Sequence, residues 1–81
     1  MKTNDLNFEN RYAVGDLVVV AYDCWLHNFN GSEFIRKGEM AIIVQKRDQL
    51  MYKPIKIFTD KGLMGWVYAS NIEVLVYNYN I

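Results

Sequence analysis

Gly62-Leu63-Met64-Gly65-Trp66-Val67-Tyr68-Ala69-Ser70-Asn71-Ile72-Glu73-Val74-Leu75 is the stretch on which the fold of this chain turns. Asp60-Lys61-Gly62 enters it as a short hairpin connection whose glycine supplies the positive φ. Gly65 to Tyr68 reads as a short aromatic strand, Ala69 to Asn71 as one helical turn, and the residues from Ile72 as a last strand. Together they predict the closing half of a very small β-barrel.

Working outward, Ile55-Lys56-Ile57-Phe58-Thr59 alternates, which places Ile55 and Ile57 on one face of a strand and Lys56 and Phe58 on the other. Pro54 before it lacks a backbone donor and belongs at a strand start or edge. Met40 to Lys46 and the β-branched run Leu17 to Tyr22 are further strands, entered from the turns at Lys37-Gly38-Glu39 and Tyr12 to Asp16. Five short strands and no helical period of useful length predict an all-β, five-stranded small barrel over residues 12–77, with a single helical turn before the last strand. Residues 1–11 read as a flexible N-terminal arm anchored by Leu6 and Phe8 alone, and residues 78–81 as a C-terminal tail.

Asp23 to Lys37 has no sustained period and holds a strong turn signal in Asn28-Phe29-Asn30-Gly31-Ser32, so it is expected to be a long loop after the first strand. Loops of that length inside a small domain are often functional. Trp25, Leu26, His27 and Phe29 give it a large aromatic surface, which either folds back to cap the barrel or faces a partner. Capping is the favoured expectation, because aromatic side chains bury large areas.

A chain of 81 residues has room for one domain, and at this size a little over ~60% of the unfolded surface is buried on folding. Formal net charge is zero, which argues against a partner held by uniform electrostatics, such as duplex nucleic acid or an anionic membrane. The charge is uneven along the chain, with two bases against five acids in Met1 to Phe34 and seven bases against three acids in Ile35 to Lys61. The longest apolar run, Leu17 to Tyr22, is far short of the ~20 residues of a membrane helix. A lone cysteine, Cys24, and the lack of an apolar leader segment predict a soluble protein of a reducing compartment, the cytoplasm by default.

The residues offer little chemistry. His27 is the sole histidine and Cys24 lies three positions away, too few ligands for zinc. A Cys24/His27 nucleophilic pair would lack an orienting third group. Gly62 and Gly65 bracket a hairpin instead of opening a helix, so no phosphate-cradling loop is present. No enzyme, cofactor or metal is expected.

Val20-Ala21-Tyr22-Asp23, Phe34-Ile35-Arg36-Lys37-Gly38-Glu39 and Gly65-Trp66-Val67-Tyr68-Ala69-Ser70-Asn71-Ile72 together resemble the Src-homology-3 pattern of a Tyr-Asp loop, a Phe-x-x-Lys-Gly-Asp/Glu corner and a Gly-aromatic-aliphatic closing strand. The closing segment is similar to bacterial Src-homology-3 modules. Val14-Gly15-Asp16-Leu17-Val18 resembles the opening of small barrels encoded by tailed phages and of KOW-type barrels. The resemblance spans about Arg11 to Val76 and implies an SH3-like barrel. Of the family's proline-peptide groove only Tyr22 falls on its motif, with Trp25, Tyr52 and Tyr68 as substitutes, so recognition of polyproline segments is not expected.

Two binding classes follow. The first is a non-enzymatic protein-interaction or assembly module, such as a phage accessory or virion component in a host cytoplasm or virion. Its expected contacts with a protein partner are Tyr22, Trp25, Phe29, Tyr52, Trp66 and Tyr68, aromatic anchors on a small rigid barrel. The alternative is a KOW-like nucleic-acid binder using Lys46, Arg47, Lys53 and Lys56 with Tyr52 as a stacking platform. Either is compatible with a homodimer paired through Val74 to Ile81, where no charge after Glu73 guards the strand edge.

Overall fold

The structure, a computed structural model, describes residues 11–48 and 50–76. The chain is all-β: β1 (Leu17–Val20), β2 (Cys24–Asn28), β3 (Gly31–Ile35), β4 (Met40–Lys46), β5 (Ile55–Thr59), β6 (Met64–Val67) and β7 (Ile72–Val76), with a 3₁₀ turn at Ala69–Asn71 before β7. All seven strands lie in one sheet of order β3-β2-β6-β5-β4-β1-β7, antiparallel at every pairing.

Two expectations are corrected here. Among the described residues the sheet has seven strands where five were expected, and it does not close, since β3 and β7 stand there as its edges. Both extra strands come from Asp23 to Lys37, the stretch expected to be a long loop. β2 and β3 form a hairpin in which Trp25 faces Phe34, Leu26 faces Glu33 and His27 faces Ser32. Its turn is held by the Asn30 N–H, which donates to Asn28 Oδ1 at 2.8 Å. Its base is held by the Lys37 N–H, which donates to Asp23 Oδ1 at 2.9 Å. The aromatic residues of this segment do not cap the core. Of Trp25, Leu26, His27 and Phe29 only the aliphatic Leu26 goes inside, while Trp25 is 54% and Phe29 101% exposed.

Alternation decides which face of each strand is inside. β5 buries Ile55, Ile57 and Thr59 and turns Lys56 and Phe58 outward, as its sequence predicts. Val18 and Val20 of β1, Leu26, Ile35, Ala41, Ile43, Val67 and Ile72 complete the inner face with Tyr12. Each large aliphatic side chain so buried contributes about 1.5–3 kcal/mol relative to exposure. A single sheet can cover its own inner face only by curling over itself. Register shifts between Leu17 and Val18 and between Ile43 and Gln45 supply local bends in β1 and β4.

Tyr12 fastens the opening of the domain to its end: the hydroxyl donates to the Ala69 carbonyl at 3.1 Å, and the Tyr12 carbonyl accepts from Lys46 Nζ at 2.6 Å. The 3₁₀ turn is stabilised locally, because the Tyr68 N–H donates to Asn71 Oδ1 at 3.0 Å while the Asn71 N–H donates to the Tyr68 carbonyl. The arm except Arg11, and the tail at 78–81, lie outside the described residues, and the expected pairing of that tail with a second copy lies largely there too. Among the described residues no helix is long and apolar enough to cross a membrane.

Candidate functional site

The outer face of β2, β6 and β5 carries a row set by strand register: His27 lies opposite Trp66, and Trp66 opposite Lys56. That row exists because Gly65 has no side chain. A Cβ there would lie 2.7 Å from the His27 carbonyl oxygen and collide with the Leu26 side chain, so only glycine lets β2 come close enough to pair with β6.

The connection between β4 and β5 covers one end of the row. Arg47 leaves β4 with its guanidinium carbon 4.0 Å from the centre of the Trp66 ring. Its Nη2 donates to the Tyr52 carbonyl at 2.7 Å and to the Lys53 carbonyl at 3.3 Å. Lys56 reaches the same ring, its Nζ 5.7 Å from the centre. Tyr52 meets Tyr68 edge-to-face at 5.4 Å and His27 edge-to-face at 6.0 Å, which joins the connection, the end of β6 and β2 into one aromatic chain.

Between these elements runs an open groove of about 600 Å³, lined by residues that include Phe29, Asn30, Met64 and the row itself. Asn28, Arg47 and Tyr52 complete the rim. Among the described residues no carboxylate lines the groove. Neither Arg47 nor Lys56 is paired with an acid among the described residues, and the ion pair of Lys61 with Glu39 at 3.8 Å lies outside the groove.

The structure thus gathers residues that the sequence assigned to two different partners. Phe29, Tyr52, Trp66 and Tyr68 share a face with Arg47, Lys53 and Lys56. Three candidates stand elsewhere. Tyr22 borders a separate shallow depression with Val20, Lys37 and Glu73. Trp25 packs edge-to-face on Phe34 at 5.1 Å, and Lys46 is held by the Tyr12 carbonyl. His27 is a groove residue that sequence reasoning left out of the site. Its signal was the alternation Trp25-Leu26-His27, which puts His27 on the outward face once Leu26 is inside.

Lys53 belongs to the scaffold of this face. It is only 6% exposed, has a φ of 50°, and donates from Nζ to the Trp25 carbonyl at 2.7 Å. The same Nζ lies 5.5 Å from the ring centres of Tyr52 and Tyr68. A buried ammonium hydrogen-bonded to β2 ties the connection down to the hairpin. Loss of solvent, and then the contact with Tyr52, raise the Tyr68 hydroxyl above its ordinary pKa.

Cys24 and His27 do not form a pair. Three residues apart on one strand they point to opposite faces, Cys24 against the core and His27 outward. Burial pushes the Cys24 thiol up, offset in part by the Lys53 ammonium. Among the described residues no three His, Cys, Asp or Glu side chains gather as a metal site.

Compared with known proteins, the chain matches no family model, no curated protein and no solved structure.

Proposed function

We propose that this chain is a non-enzymatic protein-interaction module that works through the groove between the β2–β3 hairpin, β6 and the Arg47–Lys53 connection. The observation that carries the reading is the convergence of Phe29, Tyr52 and Trp66 on one groove beside Arg47 and Lys56, with Tyr68 packed against Tyr52. Aromatic and arginine side chains clustered on a preformed surface are the usual anchors of protein recognition. An SH3-like reading of the core is supported by the order β6-β5-β4-β1-β7 and by the 3₁₀ turn ahead of β7, with the β2–β3 hairpin as an elaboration after β1. The accompanying setting is an accessory or virion component of a phage, met in a host cytoplasm or in a virion.

The nucleic-acid alternative is supported by the shared position of Arg47, Lys53 and Lys56 beside Tyr52. It is weakened by how the rings are used. A stacked base needs an open ring face, whereas Arg47 lies over Trp66 and Tyr52 is held edge-to-face with two neighbours.

Affinity capture from a lysate of the cell that makes the protein tests the reading, with wild type beside a folded Trp66→Ala/Tyr68→Ala variant at low and moderate salt. A protein retained at moderate salt by the wild type and lost in the variant is the expected result. Recovery of nucleic acid that washes off steeply with salt in both forms would refute it.

A further inference from the structure

We propose that the occupant of this groove is an acidic peptide segment with aromatic or long aliphatic side chains beside its carboxylates. The inference rests on the interaction-module reading and goes further by naming the partner's chemistry.

Charge complementarity carries it. The groove holds the Arg47 guanidinium and the Lys56 ammonium against one ring, that of Trp66, and among the described residues its lining has no carboxylate to neutralise them. Arg47 is already oriented: Nη2 is taken by the carbonyls of Tyr52 and Lys53, which leaves Nη1 as the terminal donor for an incoming acceptor. Because that guanidinium is fixed before binding, little rotamer entropy is lost when a carboxylate docks on it. Lys56 stands directly across the β5–β6 ladder from Trp66, with its Nζ 5.7 Å from the centre of the ring that Arg47 covers, so both charges meet at that ring.

The same groove provides apolar surface for the rest of the segment. Among its lining residues Phe29 is fully exposed and Met64 is 43% exposed. Asn28 and Asn30 at the turn add amide groups that can meet a peptide backbone. A wholly polar anion would leave Phe29, Met64 and the Tyr52 ring without contacts. A wholly apolar segment would bury Lys56 with no partner, which is costly.

The test is fluorescence anisotropy with the full chain and three labelled probes: a nonapeptide alternating glutamate with phenylalanine, the same peptide with glutamine for glutamate, and a decathymidylate. Binding sites are located by amide chemical shifts of the ¹⁵N-labelled protein. The glutamate peptide is expected to bind at least roughly tenfold more tightly than the glutamine peptide. Its shifts are expected at His27, Asn28, Arg47, Lys56 and the Trp66 indole. Lys56→Gln, a surface change that leaves the core intact, is expected to weaken the glutamate peptide several-fold and to leave the glutamine peptide unchanged.

Equal binding of the two peptides at these residues would overturn the acidic specificity while leaving the interaction surface standing. Binding of decathymidylate at these residues with no binding of either peptide would overturn both. Binding of neither peptide nor decathymidylate would overturn the acidic occupant.

Discussion

The Arg47 guanidinium lies over the Trp66 ring at 4.0 Å while its Nη2 grips the Tyr52 carbonyl at 2.7 Å, so one side chain joins the β4–β5 connection to the face of β6. Removing it unties both. Arg47→Ala is expected to cost about 1–3 kcal/mol in urea denaturation, from the lost cation–π contact and the freed carbonyls. Arg47→Lys should recover only part of this, because an ammonium lacks the planar fork. Full recovery by lysine would show that charge alone is at work.

Gly65 sets how closely β2 approaches β6. With a Cβ placed 2.7 Å from the His27 carbonyl oxygen and in collision with Leu26, Gly65→Ala must push the hairpin away. The expected loss is about 1–3 kcal/mol, and the His27 and Trp66 amides should exchange with solvent faster. In a Leu26→Ala background the added cost of Gly65→Ala should shrink but not vanish, since the backbone contact remains. A neutral Gly65→Ala substitution would contradict the close approach.

Lys53 combines a buried hydrogen bond with a left-handed backbone. Lys53→Ala loses the bond to the Trp25 carbonyl and keeps the unfavourable φ, for an expected cost of about 1–3 kcal/mol. Lys53→Gly loses the same bond but relieves the backbone, so it should be the more stable of the two by about 1 kcal/mol. The reverse order in thermal or urea unfolding would contradict the φ of 50°.

The Cys24 thiol is raised by burial and lowered by Lys53, in that order of size. Alkylation by iodoacetamide should therefore show a midpoint above that of the unfolded chain, and Lys53→Met should move it higher. The folded thiol holds its proton more tightly than the unfolded one. Its effect on stability is thus absent below the unfolded pKa, and stability falls as pH rises towards and through the folded value. A midpoint equal to that of the unfolded chain would contradict the burial.

Much of the fold is legible in the residues because alternation there is regular. Met40 to Lys46 and Ile55 to Thr59 are strands over the spans their sequence predicts, and Ala69 to Asn71 is the single helical turn. The β2–β3 hairpin is hidden because its inward positions are few. Only Leu26 and Ile35 are fully buried in it, and its aromatic residues lie on the outward face, against the usual sense of the pattern. The site is legible as residue types and not as an arrangement. Tyr52, Trp66, Arg47 and Lys56 are recognisable as binding residues, yet only cross-strand register puts Lys56 beside Trp66 and His27 on its other side.

The outer sheet face also offers a competing surface, an apolar strip through Phe58 and Ile42, both more than two-fifths exposed and directly paired across β5 and β4. The most direct measurement is therefore the chemical-shift footprint of the captured partner on the ¹⁵N-labelled chain. Shifts at Asn28, Arg47, Tyr52, Lys56 and the Trp66 indole are expected, with Ile42 and Phe58 unmoved. A footprint confined to Ile42, Phe58 and their neighbours would contradict the assignment of the groove as the binding site.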